Sequence, residues 1–324
     1  MSDSNRRVIV DTDTAGDDTQ ALLMAATSDR IDVDAVTICA GNVEFDYQVE
    51  NAKYTLDQVD MADEITVYEG ARTPLMKDHK FADYVHGEGG LGGDLFPETG
   101  IASGDQHAVD YIVESARENP GEITLACIAP LTNLALAVQK EPELNELLDE
   151  VWVMGGNVNC VGNVTPAAEY NFWVDPDAAK IVAREFDITL FDWGLTERDT
   201  FFGPETLASI EDGPDTRLAD FFLQIVTQVR AFNRETMGTD ATTQPDSALT
   251  AALVEPDLIT DVETYHMDVD EREGLTRGYS AVDETGVTDG EPRTRVVESI
   301  DADLFERMFL DMLFESSPEH SLDG

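Results

Sequence analysis

The 324-residue chain is poor in positive charge: Lys and Arg together number 20 against 67 Asp and Glu, a formal net charge of −47 at pH 7. A surplus of that size excludes nucleic acid and anionic membrane surfaces as partners, because both are repelled. Cysteine is scarce as well. Cys39, Cys127 and Cys160 are odd in number, far apart and without metal-ligand spacing, which excludes a disulfide framework and leaves buried reduced thiols as the expectation. The five histidines, His79, His86, His107, His266 and His320, are scattered and offer zinc no cluster. Long apolar runs are missing too. The uncharged, mostly apolar stretch ITLACIAPLTNLALAV at 123–138 is shorter than a membrane span and is broken by Pro130 and Asn133. The opening MSDSNRR lacks the apolar core of a signal peptide, so a cytoplasmic protein is expected. No linker, low-complexity tract or internal repeat divides the chain, which reads as one domain over 1–324 with flexible ends at about 1–6 and 316–324.

What is present is an alternation. Short apolar runs at 8–10, 34–40, 65–70, 123–129, 150–156 and 188–194 are separated by helical patterns at 48–60, 105–118, 131–140 and 176–186. Such alternation predicts βαβ units and an α/β fold: an open, mainly parallel, Rossmann-like sheet flanked by helices. Further on, 217–233 and 245–256 read as helices, and 264–285 shows strand-like alternation on either side of Gly274.

One stretch carries more than fold. VIVDTDTAGDDTQALL, residues 8–23, puts Asp11, Asp13, Asp17 and Asp18 on the turn between a buried strand and the helix starting near Thr19. In so acidic a chain the count alone proves nothing, but its placement does more. Strand-to-helix turns at the carboxyl ends of an open sheet are where ligands bind, whereas a solvated acidic face is spread along a helix exterior, as expected for EPELNELLDE at 141–150. Carboxylates packed this closely need relief, and a hard cation with oxygen ligands, Mg²⁺ or Ca²⁺, supplies it. The DTDTA segment is also similar to the haloacid-dehalogenase phosphatases, where the first Asp is a nucleophile beside Mg²⁺. Ala15 departs from that pattern, and no downstream catalytic Lys can be placed.

A second likeness uses more of the chain. DTDTAGDD (11–18), TICAGNV (37–43), HGEGGLGG (86–93), IAPLTNLALA (128–137), VMGGN (153–157), GNVTPAAEYNFWVDPDAA (162–179) and GLTRGYSAVD (274–283) occur in the order and rough spacing of the inosine-uridine-preferring nucleoside hydrolases. The chain resembles that family from about residue 6 to about residue 300, and the acid loading gives it a haloarchaeal character. The resemblance implies hydrolysis of the N-glycosidic bond of a ribonucleoside to ribose and free base, in a homodimer or homotetramer. It also implies Ca²⁺ held by Asp13, Asp18, the carbonyl of Ile128 and Asp246. Asp13 is the implied base that activates water. Asp17, Asn42, Met154, Asn163, Glu169, Tyr170 and Asn171 match substrate-binding positions. A negative pocket suits the oxocarbenium-like sugar that such cleavage passes through.

The family places a histidine of the glycine-rich loop, here His86, near the departing base. Many relatives carry a second histidine just before the late Asp ligand, where this chain has Pro245, which can donate no proton. Protonation of the base then falls to His86, to water or to nothing, with stacking on Tyr170, Trp173 or Phe232 helping instead. A non-catalytic nucleoside-binding protein and a Mg²⁺-dependent phosphatase stand as the alternatives.

Overall fold

The computed structural model describes residues 5–314. Its strands are β1 (Arg6–Thr12), β2 (Ile31–Ile38), β3 (Thr66–Glu69), β4 (Ile123–Cys127), β5 (Glu150–Met154), β6 (Ile188–Phe191), β7 (Phe201–Phe202), β8 (Thr242–Thr243), β9 (Ile259–Val269), β10 (Ser280–Asp283) and β11 (Thr294–Ile300). Nine of them form one sheet in the order β10-β9-β11-β6-β5-β4-β1-β2-β3. From β3 across to β11 neighbouring strands run parallel, and β9 and β10 are added antiparallel at one edge. Helices cover both faces, so the expected α/β architecture is the one found.

The strands follow from their sequences. Val8, Ile9 and Val10 are buried without interruption because β1 lies mid-sheet with helices on either side. Val8 and Val10 join the core under helices Asp18–Thr27, Phe45–Asp57, Pro245–Val254 and Ala302–Phe314. Ile9 points to the opposite core, beneath helices Ala108–Glu118, Thr132–Lys140 and Pro176–Glu185. Helix Asp18–Thr27 is buried from Asp18 to Ala25, because it packs between the sheet and helix Pro245–Val254.

The chain leaves β1 toward β2 and β3, then returns to place β4 on the other side of β1. Loops leaving β1 and β4 therefore diverge, and a crevice opens between their carboxyl ends. Both the acid-rich turn after β1 and Ile128 after β4 lie at that crevice.

Some expectations change. Arg6 belongs to β1 and is not a flexible end, while residues 1–4 and 316–324 lie outside the described residues. The 141–150 segment holds only the short helix Leu144–Leu147 before β5 begins, since Glu141 and Pro142 keep the chain out of helix until then. Strand β11 and helix Ala302–Phe314 were not anticipated. Cys39 and Cys127 are buried free thiols as expected, whereas Cys160 is half-buried on a loop. No helix among the described residues is long and apolar enough to cross a membrane.

Candidate active site

The turn that follows β1 is fixed by contacts that its sequence invites. Gly16 has φ of +50°, and a Cβ there would lie 2.2 Å from His86 Nδ1, so only glycine lets the turn and the histidine coexist. Gly16 N–H donates to the Gly90 carbonyl at 2.8 Å, and Asn51 Nδ2 donates to both Thr14 O (3.0 Å) and Gly89 O (2.7 Å). The HGEGGLGG segment thus serves as a brace under the acidic turn. Gly41 permits a second close approach. A Cβ on it would fall 1.8 Å from Asp13 Oδ2, and its absence lets Asn42 N–H donate to that oxygen at 2.7 Å.

Asp11 and Asp13 are both fully buried, yet they differ in what holds them. Asp11 Oδ1 accepts from Thr37 Oγ1 (2.6 Å) and Asn133 Nδ2 (2.8 Å), tying β1 to β2 and to helix Thr132–Lys140. Burial pushes its carboxyl up to about 7. Asp13 is held only by Asn42 N–H, and each of the two carboxylates keeps one buried oxygen without a partner, Asp11 Oδ2 and Asp13 Oδ1. Asp18 accepts from Thr12 Oγ1 (2.6 Å), Ala15 N–H (3.2 Å) and Asn42 Nδ2 (3.2 Å). Oxygens of Asp17, Asp18 and Asp246 lie within 4.8 Å of one another.

This crowding has an electrostatic signature. Burial first, and then the Asp18 charge, raise Asp13 well above the ordinary carboxylate range. Burial and the charges of Asp17, Asp18 and Asp13 do the same to Asp246. Burial also lifts Asp17 to about 6 and Asp18 to about 7. With protein groups alone, these carboxyls resist ionising together. A bound cation reverses that balance. The available donors are all oxygens, which suits Ca²⁺ or Mg²⁺ and not zinc.

Above the acids opens a cavity of about 350 Å³, within the range of small-molecule sites. Its lining brings together Asp17, Asn42, His86, Ile128, Met154, Asn163, Glu169, Tyr170, Asn171 and Asp246, which the sequence scatters over more than two-thirds of its length. Asp13 and Asp18 lie beneath this surface. Glu169 caps helix Tyr170–Val174: its Oε1 accepts from Asn171 N–H (2.8 Å), and its Oε2 from Gly156 N–H (2.8 Å) and Phe172 N–H (3.2 Å). Asn171 Nδ2 in turn donates to the Met154 carbonyl at 3.2 Å. Tyr170 donates its hydroxyl to Lys80 O at 2.9 Å, presenting its ring to the cavity.

The outer part of the lining is aromatic. Tyr84, Trp193, Phe201 and Phe232 face the cavity, and the Tyr84 and Phe232 rings meet at 5.7 Å. Trp173 is not among them. Arg277 stacks on its ring at 4.3 Å and donates to its carbonyl at 2.9 Å, so this tryptophan and the GLTRGYSAVD segment support the Glu169 helix from behind. His86 reaches the cavity with an enclosed Nδ1 that has no partner, and burial lowers it to about 4, so its ring is neutral near pH 7. Sequence reasoning missed Asn51 and Asn133 as braces. Asn133 sits in the LTN segment, and its buried amide, fitted between Asp11, Ile38 O and Ala71 N–H, was the available signal.

Known proteins share this construction. A profile of the inosine-uridine preferring nucleoside hydrolases matches residues 8–307. The pyrimidine-specific ribonucleoside hydrolase RihB of Escherichia coli (strain SE11) is 32% identical over 303 residues, covering 93% of this chain and 94% of RihB. The plant nucleoside hydrolase PpNRh1 superposes with a TM-score of 0.90 at 30% identity, over 97% of this chain and 100% of that one. A purine-preferring ribonucleoside hydrolase from Gardnerella vaginalis gives a TM-score of 0.85 at 26% identity, over 95% of this chain and 98% of that one. With the profile spanning nearly the whole fold and the acids gathered under one cavity, the chain belongs to the inosine-uridine preferring nucleoside hydrolase family and is an enzyme that hydrolyses the N-glycosidic bond of nucleosides.

Proposed function

We propose that the enzyme splits ribonucleosides into ribose and free base with Ca²⁺ held by Asp13, Asp18, Asp246 and the Ile128 carbonyl. The observation that carries this reading is the unpartnered, buried Oδ1 of Asp13 beside carboxyls that burial and one another's charge hold back from ionising. The bound cation supplies the positive charge that keeps these carboxylates ionised and makes water beside them more acidic. Asp13 accepts the proton of the attacking water, its other oxygen being held by Asn42 N–H at 2.7 Å. Asp17, Asn42, Asn163, Glu169 and Asn171 bind the ribose hydroxyls, for which carboxylate and amide groups are matched acceptors and donors, and Met154 and Tyr170 pack against the sugar. As the bond lengthens, the sugar becomes cationic, and the surrounding carboxylates favour that state over the neutral substrate. His86 contributes a neutral ring N–H to the departing base, and the aromatic wall stacks on it.

The surplus of acids supports an origin in salt-rich cytoplasm, and the family habit of self-association supports a homodimer or homotetramer acting as one domain per chain. The named relatives include one pyrimidine-specific and one purine-preferring enzyme, so base preference is left to measurement. The test is reducing-sugar release from inosine, adenosine, guanosine, uridine and cytidine in molar-range KCl, with Ca²⁺ and then with chelator. Release that the chelator abolishes, and that falls by about 10³-fold or more in Asp13→Ala, is expected. No release from any nucleoside by the folded protein overturns the reading.

A further inference from the structure

The outer wall of the cavity is a return of the chain. Helix Arg217–Thr236 runs out past the opening, turns at Met237 and comes back through β8 into Pro245, supplying Phe232, Asn233, Met237, Thr239 and Thr243 to the lining. The returning limb has little regular structure. It meets the main body through the two-residue ribbon of β7 and β8 and, just beyond it, the Gln244 N–H bond to Thr200 Oγ1 at 3.2 Å.

Charge ties the return together. Arg230 grips Asp240 with two parallel bonds, Nε to Oδ1 at 2.7 Å and Nη2 to Oδ2 at 2.9 Å. Arg234 Nη2 donates to the same Oδ2 at 2.7 Å, and Arg230 Nη1 donates to Glu211 Oε1 at 2.5 Å. Beside them Asn233 Nδ2 donates to Ala241 O at 2.9 Å. The Arg230 side chain is only 14% exposed, which separates it from an ordinary solvated pair. Helical spacing explains the division of labour: Val226, Val229 and Asn233 line the cavity, while Arg230 and Arg234, one turn apart, stand on the neighbouring face. In a chain with 20 cationic side chains against 67 acids, two of the cations converge on this one carboxylate.

We propose that Arg230, with Arg234, is a positioning residue for the base half of the active site: gripping Asp240, it holds the Met237–Thr243 limb against its helix and sets the width of the aromatic wall. The inference rests on the ribonucleoside reading above. A planar guanidinium fixes the carboxylate in distance and in orientation, which a lysine ammonium cannot do. At high salt, where screening reduces looser pairs, a directly hydrogen-bonded and partly buried grip persists. The same limb continues through Gln244 and Pro245 into Asp246, so its position also bears on how the wall meets the acid floor.

The test compares the parent enzyme with Arg230→Gln, Arg230→Lys and Asp240→Asn in molar-range KCl with Ca²⁺. For the preferred nucleoside, KM is expected to rise about tenfold in all three while kcat stays within about threefold, because the wall binds the base and does not touch the reacting bond. Inhibition by free ribose, which occupies the floor, should be unchanged. Hydrogen exchange at amides 237–243 should quicken while that of β1 and β4 stays slow. An unchanged KM together with unchanged exchange overturns the proposal. So does full function in Arg230→Lys, or quickened exchange across the whole sheet. If the parent releases no ribose from any nucleoside, the ribonucleoside reading fails by itself, and the exchange measurement still decides whether Arg230 holds the limb.

Discussion

The floor of the cavity hangs from the ends of β1 and β4 and is buried in the middle of the sheet, whereas its outer wall comes from Tyr84, Trp193, Phe201 and the 226–243 return. In the floor Asp11 Oδ1, Asp13 Oδ2 and both oxygens of Asp18 are held by named donors, while Asp11 Oδ2 and Asp13 Oδ1 are buried without a partner. In the wall the side chains are partly open to solvent, Tyr84 at 51% and Phe201 at 49%, and are held by edge contacts and ion pairs. The difference separates two tasks. Chemistry at the sugar demands fixed carboxylates with perturbed ionisation, while recognition of a base asks for flat apolar surface whose spacing can vary.

Three experiments sharpen or break that division. The largest effect is expected from Gly41→Ala, which touches no substrate group but drives a Cβ into Asp13 Oδ2. Displacing that carboxylate should lower kcat about a hundredfold with the fold retained, as read by ribose release and circular dichroism. Near-parental kcat would mean that the floor tolerates movement.

Next comes the linkage of ion, protons and stability. Burial raises Asp17 to about 6 and Asp18 to about 7, above their ordinary value. A carboxyl raised on folding contributes stability that is fully present below about pH 4 and lost as pH climbs through the folded value. The cation-free protein should therefore forfeit this contribution between about pH 4 and 7, and Ca²⁺ should restore it on the alkaline side. At a hundred times its Kd the ion adds about 2.7 kcal/mol, or about 5 °C in melting temperature, at pH 8. The gain should be much smaller at pH 5, and equal shifts at both pH values would contradict the burial of these acids.

The smallest effect is expected in the wall. Phe232→Ala removes one stacking surface, so KM for the preferred nucleoside should rise about fivefold with kcat little changed. A kcat loss matching that of Gly41→Ala would erase the distinction between wall and floor.

The same division explains what could be read from the sequence. The floor was legible because its acids directly follow an apolar run, and a buried parallel strand announces itself locally. Helix Pro176–Glu185 was equally plain, with Asp175 as its cap and Pro176 in its first turn. Strand β11, TRVVESI, was hidden because charged residues punctuate it, and helix Ala302–Phe314 because acids are dispersed around its Phe305, Phe309 and Leu313 stripe. Of the wall, only Phe232 was anticipated. Its residues meet only through tertiary packing, which is why Trp173 was expected among them and Tyr84 and Trp193 were not.

The bonds that close the floor join residues far apart along the chain. Asn133 reaches Asp11, Asn51 reaches Thr14, and Asp246 comes within 4.8 Å of Asp17 and Asp18 only when helix Pro245–Val254 docks on the helix that follows β1. Contacts of such sequence separation form late, since the connecting chain must be closed before they yield anything in return. On the ribosome, then, Asp11 and Asp13 are made well before Asn133 and Asp246, and these acids have no complete partner set until Asp246 has emerged. Activity arrives with the final stages of folding, and an interrupted chain carries the motif without the site.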